Sequence, residues 1–240
     1  MSSKLAWIGG LVLGLAVAGM FLYATRGRSP GFVFIPNDVS VTIPEGTNIA
    51  DMGRLLEVAH VASASILLTP EVLKLEGSLF PDTYRFDRGS TAEDIIVRMR
   101  KNYPDRDQLV IASLLEKEVQ TEDDMRLVTG IIQKRLDIGM ALQIDATVAY
   151  GACLPRFLKG EYCDVSKVSI VDNKAKDSAY NTYTRRGLPA GPITSPGRKA
   201  LDAAAHPTTS DYWYYLSAKD GTTIFSKTLE EHNRAKRKYL

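Results

Sequence analysis

No charged residue falls between Leu5 and Ala24. The run LAWIGGLVLGLAVAGMFLYA is about 20 residues long, enough to cross a bilayer as a helix. Trp7 and Tyr23 stand near its ends, where interfacial anchors sit. A cleaved signal peptide would carry a shorter apolar region, about 7–15 residues, followed by a small-x-small cleavage site. The Tyr23-Ala24-Thr25-Arg26 found here is a poor one. The expectation is an uncleaved transmembrane anchor over residues 1–25. Lys4 precedes the span and Arg26 and Arg28 come after it, so positive-inside counting does not orient it. Gly27, Ser29, Pro30, Gly31 and Pro36 mark 26–38 as a short linker.

The whole chain is 45% hydrophobic and 24% charged with a formal net charge of +2, the balance of an ordinary globular protein. Near-neutral charge without aromatic–basic interleaving gives no argument for nucleic acid as a partner. Cys153 and Cys163 are the only cysteines. Beyond a bacterial membrane they could pair; in a reducing cytosol they would stay free. These two and the scattered His60, His206 and His232 make no zinc set, and no metal or cofactor is expected.

The stretch DRDQLVIASLLEKEV, Asp105–Val119, reads as one helix with Asp105 as N-cap and Gln108 completing a capping-box-like start. At roughly 100° per residue, Val110, Ile111, Leu114, Leu115 and Val119 define one apolar side. Glu118 falls near the middle of that side, while Glu116 points the opposite way with Ser113 and Gln120. A carboxylate drawn out of water raises its pKa and tends to hold a proton. A protonated Glu near neutral pH is what a general acid requires. A helix-end Glu reaching solvent or pairing with an arginine is the alternative.

Around this helix the pattern predicts an α+β chain. Val39–Ile43 alternates as a strand. Thr47 or Asn48 caps a helix with Ile49, Met52, Leu55, Leu56 and Ala59 inward. A second helical piece around Ser65–Leu73 is limited or restarted by Pro70, and a return strand lies near Thr83–Phe86. This βααβ unit, 39–88, is too small to stand alone and should pack on the larger domain. That domain comprises residues 89–240. In it, Ser90–Glu93 opens a helix with a capping box, and Ile95, Ile96 and Met99 face inward. Glu122–Asp137 is a partner helix with Met125, Val128, Ile131 and Ile132 inward, ended by Gly139. Gly151–Ser178 reads as irregular. Arg198–Ala205 is a short helix, Tyr212–Leu216 and Thr222–Phe225 are paired strands, and Lys227–Tyr239 is a basic terminal helix. Between these lies AYNTYTRRGLPAGPITSPG, dense in Tyr, Asn, Thr, Gly and Pro. A long non-repetitive segment of this kind suits a functional surface. Tyr supplies flat faces for pyranose rings, and Asn supplies amide partners for hydroxyl and N-acetyl groups.

Five blocks in order carry a family resemblance: LEGSLFPDTYRF, IASLLEKEV, KRLDIGMALQIDATVAYG, AYNTYTRRGLPAGPITSPGRKALDAAAHP and IFSKTLEEHN. Over Val39–Leu240 the chain resembles the endolytic murein transglycosylases (MltG or YceG-like proteins). The resemblance implies cleavage of the β-1,4 bond between MurNAc and GlcNAc in nascent peptidoglycan, leaving a 1,6-anhydro-MurNAc end. It implies a single-span protein of the cytoplasmic membrane facing the periplasm or outer surface, with a LysM-like module at 39–88. Peptidoglycan strands and the membrane are the implied partners, with peptidoglycan synthases or divisome proteins as further candidates. Carried over, the second glutamate of the family's Glu-Lys-Glu-Thr motif is Glu118. Gln143, Asp145, Tyr180, Asn181 and Thr182 would line the glycan groove. Val119 stands where the family has Thr, Ala146 where Pro is usual, and Ser78 where a bulky residue is usual. Thr223 lies near the place of a common His, and usual members carry a far longer segment before the LEG block. These departures motivate an alternative, a non-catalytic peptidoglycan-binding or divisome scaffold protein.

Overall fold

The computed structural model describes residues 37–103 and 105–240. The expected anchor and nearly all of the expected linker lie outside the described residues. Among the described residues no helix is long and apolar enough to cross a membrane. The chain order is β1 (Asp38–Thr42), α1 (Ile49–Val58), α2 (Pro70–Leu73), β2 (Thr83–Asp87), α3 (Ala92–Met99), α4 (Arg106–Glu118), α5 (Glu122–Asp137), α6 (Asp145–Phe157), α7 (Ile170–Asn173), α8 (Arg198–Ala205), β3 (Tyr214–Ser217), β4 (Thr223–Ser226) and α9 (Leu229–Tyr239). Short 3-10 turns occupy Ala64–Leu67 and Val165–Lys167. The class is α+β, with two separate two-stranded antiparallel sheets.

Strand β1 pairs with β2 so that Asp38 faces Asp87 and Thr42 faces Thr83. Between them Asn48, not Thr47, caps α1, its side chain accepting from Asp51 N. Pro70 restarts the chain as the first residue of α2, with Thr69 accepting from Val72 N; proline has no N–H to lose there. Strand, two helices and return strand therefore come in the expected order. Val41, Met52, Leu56, Leu67 and Phe86 from this unit share one apolar cluster with Leu114, Leu115 and Val128. That continuity supplies the burial a unit of this size lacks by itself. The capping box of α3 falls one residue later than expected, on Thr91 and Asp94.

Helix α4 is the centre of the core. Leu109, Val110, Ile111, Ala112, Ser113, Leu114 and Leu115 are all buried, so the side expected to be polar is covered as well. Ser113 Oγ donates to Val110 O and accepts from Ile193 N at 3.1 Å, and Thr194 Oγ1 donates to Ser113 O. Glu116 is likewise not on a free surface. It is half-buried and accepts from Gly197 N at 2.7 Å, where the first turn of α8 has unpaired N–H groups.

The segment expected to be irregular begins as helix. α6 continues through Gly151 and Pro155 to Phe157. Two helix-breaking residues mask its pattern, yet Gly151 is there for contact. A Cβ at that position would lie 2.6 Å from Ser178 Oγ and 3.2 Å from Tyr180 Cβ. Glycine lets the 178–180 segment lie directly on the helix. A disulfide joins Cys153 of α6 to Cys163, with Cα atoms 5.5 Å apart.

The non-reduced, denatured protein should therefore show no maleimide-reactive thiol. Replacing both cysteines by serine should lower stability by about 2–3 kcal/mol, the loop-closure scale for a segment of this length. Two labelled thiols in the unreduced protein would contradict the pairing.

Candidate active site

Glu118 is the last residue of α4, and the chain leaves the helix at Val119 in an extended conformation. Hairpin β3–β4 closes over this end. Ser217 Oγ donates to Glu118 O at 2.7 Å, satisfying one of the carbonyls that a helix end leaves unpaired. Arg135 of α5 holds the same hairpin, its Nε and Nη2 donating to Trp213 O at 2.9 and 2.6 Å. Its Nη1 donates to Leu142 O at 2.7 Å. One buried guanidinium thus ties α5, the hairpin and the turn before α6 together, and it spends its donors on carbonyls.

A cavity of about 430 Å³ opens at this junction, lined in part by Glu118, Gln143, Asp145, Tyr183 and Tyr215. The Glu118 carboxyl is pushed up to about 7, first by desolvation, then by the negative charge of Asp145, while a hydrogen bond from Tyr215 acts the other way. The C-terminal end of the α4 dipole also disfavours a carboxylate there. Asp145, the first residue of α6, accepts the Tyr183 hydroxyl at 2.6 Å. The cavity therefore holds a carboxylic acid that ionises near neutrality, with a second carboxyl group beside it that is already hydrogen-bonded.

Gln143 and Asp145 face this cavity together with Glu118; Tyr180, Asn181 and Thr182 do not line it. Thr182 is buried beneath the turn that carries the first two. Its carbonyl accepts from Gln143 N at 3.1 Å, and its Oγ1 accepts from Ile144 N at 2.9 Å and meets Thr147 Oγ1. This anchorage holds Gln143 at φ +57°, a conformation uncommon outside glycine. Asn181 is buried too. Its Nδ2 donates to Lys174 O and Lys176 O, and its Oδ1 accepts from Tyr183 N. Tyr180 packs on Tyr150 with ring centroids 4.9 Å apart and lines a different cavity of about 560 Å³. Sequence reading did not single out Tyr183, Tyr215 or Arg135. Tyr183 sat unremarked in the Tyr-rich stretch; the other two carried no local pattern.

Glu76, from the LEG block, is a second buried carboxyl raised to about 7 by desolvation. It accepts from Ile49 N, at the start of α1, and from the Tyr150 hydroxyl at 3.0 Å. That set of partners joins α1 to α6, and it lies outside the Glu118 cavity.

Comparison with known proteins points the same way as the five blocks. The chain is 38% identical over 183 residues to an endolytic murein transglycosylase of Bacillus subtilis, covering 69% of this chain and 48% of that protein. It is 30% identical to an endolytic murein transglycosylase of Streptococcus pneumoniae over 67% of this chain and 31% of that protein. It thus spans about half, or less, of the length of these curated relatives. A crystal structure of a YceG-like protein from Listeria monocytogenes superposes with a TM-score of 0.68 at 29% identity, covering 81% of this chain and 75% of that one. The YceG-like family model matches residues 28–238, and the chain belongs to the YceG-like family.

Proposed function

We propose that this protein is a lytic transglycosylase that cleaves the MurNAc-β-1,4-GlcNAc bond of nascent glycan strands and so ends their elongation. The observation that carries the reading is the Glu118 carboxyl, raised to about 7 in a cavity large enough for sugar rings. As the acid, Glu118 protonates the leaving glycosidic oxygen. As carboxylate, it then accepts the proton of the C6 hydroxyl of the same MurNAc, whose oxygen closes on C1 to give the 1,6-anhydro ring. Tyr215 orients the carboxyl, and Arg135 and Ser217 hold the strand that carries Tyr215. Gln143 and Asp145 offer amide and carboxyl partners to sugar hydroxyls from a turn that Thr182 fixes.

In this reading the protein is held by residues 1–25 in the cytoplasmic membrane, with residues from Gly31 onward outside it. The disulfide supports that placement, since such bonds persist in oxidising compartments. The unit from β1 to β2 would act as a LysM-like grip on glycan. Peptidoglycan synthases or divisome proteins are the partners proposed for such a place in wall growth. A hydrolytic reading has one observation in its favour, Asp145 beside Glu118 in the same cavity; two carboxyl groups are what ordinary glycosidases use. The terminal sugar of the product separates the two, anhydro-MurNAc for the first and a reducing end for the second.

Glu118→Gln keeps volume and hydrogen bonding and removes the transferable proton. It should lower release of anhydro-muropeptides by at least about 100-fold, the scale of a general acid–base contribution, with no loss of thermal stability. A variant of full activity would remove the basis of the reading.

The alkaline limb of kcat/KM gives a second check, because activity needs Glu118 protonated and should fall as pH rises through about 7. Tyr215→Phe removes a bond to the carboxylate form, so the limb should move to higher pH. Asp145→Asn removes a negative neighbour, so it should move to lower pH. A limb that both variants leave in place belongs to some other group.

A further inference from the structure

The charge around Glu118 is not that of a site for a neutral sugar polymer. Lys117, Arg135, Lys174 and Lys236 line the cavity, against Glu118, which holds its proton up to about pH 7, and Asp145. Four basic side chains therefore face two acidic ones, Glu118 and Asp145. Arg135 has its donors on Trp213 O and Leu142 O. Lys117, Lys174 and Lys236 make no ion pair among the described residues.

Two of these lysines are placed by structure. Lys174 is the C-cap of α7, and its backbone carbonyl is fixed by the buried Asn181 amide at 3.0 Å. Its ammonium lies 4.2 Å from the centroid of Tyr183, the ring whose hydroxyl binds Asp145. Lys236 stands on α9 with Leu229, His232 and Leu240, spaced so that one face of the helix closes the cavity. His232, between them, is kept neutral by burial and by the positive charges of Lys236 and Arg135. It cannot replace a lysine as a cation at neutral pH.

We propose that Lys174 and Lys236 form a carboxylate-recognition site on the rim of the Glu118 cavity, selecting glycan that carries an acidic substituent over uncharged N-acetylglucosamine polymer. This rests on the transglycosylase reading for the identity of the glycan and not on the cleavage step. The carboxylate has two sources, the free lactyl acid of a peptide-stripped strand and the acids of a stem peptide. In a stem-bearing strand the lactyl group is an amide and carries no charge.

The test uses the full-length chain in the Glu118→Gln background and measures binding of three soluble probes. These are stem-bearing glycan oligomers, the same oligomers stripped of peptide by an amidase, and GlcNAc oligomers. The background chain should bind at least one acidic probe about tenfold tighter than GlcNAc oligomers, the scale of two partly exposed ion pairs. Adding Lys174→Gln and Lys236→Gln should abolish that preference, as should high salt, and leave GlcNAc oligomer binding unchanged. Loss confined to the stripped strand assigns the lactyl acid; loss confined to the stem-bearing strand assigns the peptide. With Glu118 intact, the double lysine variant should raise KM for the acidic strand by a similar factor at unchanged kcat. No preference in the background chain, or a preference that survives both substitutions, overturns the proposal. A wild-type chain that releases no anhydro product sinks the transglycosylase reading, and the binding measurements still decide this one.

Discussion

From Leu109 to Leu115 every residue of helix α4 is buried, and the site depends on that burial. Leu109, Val110, Ile111, Leu114 and Leu115 are buried, each contributing about 1.5–3 kcal/mol by removal from water. Against this, holding Glu118 as a carboxylate at the same helix end is costly. A shift from 4.5 to about 7 corresponds to about 3 kcal/mol of preference for the protonated form. The apolar packing outweighs it, so the fold tolerates a desolvated acid where a surface helix would release it to water. The chemistry proposed for the site is a direct product of that tolerance.

Polar ties then fix what the apolar core leaves loose. Leu216 of β3 and Ala218 just after it form a small cluster with Ala235, while Tyr215 and Phe225 pack against the main core, and non-directional packing alone would not set the angle of Tyr215. Ser217 on the Glu118 carbonyl and Arg135 on the Trp213 carbonyl do so. On the other wall, Thr182 holds the Gln143 turn and Asn181 holds both Lys174 and Tyr183. Buried side-chain hydrogen bonds of this kind contribute modestly when made and cost more when broken. They are therefore suited to holding a geometry.

Much of the skeleton was legible because its signals are local. Asn48 and Asp105 cap the helices they precede, and the inward faces of α3 and α5 obey the helical period. Helical phase and the family blocks together singled out Glu118, which lines the cavity at the end of α4. What escaped has a physical reason in each case. The wheel assigns α4 a polar side, but Ser113 and Glu116 are satisfied by Ile193, Thr194 and Gly197, some eighty residues on. α6 was hidden by Gly151, where Ser178 and Tyr180 leave no room for a Cβ, and by Pro155, an exposed residue in its last turn. Asn181 and Thr182 carry the polar character expected of a sugar groove, yet both are buried in bonds to the segments that wall the Glu118 cavity. Composition tells which segment serves the site; only packing tells which side of the segment faces the ligand.

A cavity rich in lysine is, on charge alone, a poor place to keep a carboxylic acid protonated, since nearby cations favour the carboxylate. The magnitudes resolve this. Lys117, Lys174 and Lys236 are exposed, and charges acting through water and salt contribute less than about 1 kcal/mol each. Arg135 is closer to the core, but its fork is committed to carbonyls of Trp213 and Leu142. Desolvation of Glu118, reinforced by Asp145 and the helix end, acts on the carboxyl itself. Cation and acid can therefore share one cavity, because the lysines stand exposed at its rim while the Glu118 carboxyl is desolvated. An acidic glycan seated on the rim would pair with the lysines. It would neutralise the charges most able to lower the pKa of Glu118 at the moment the acid is needed.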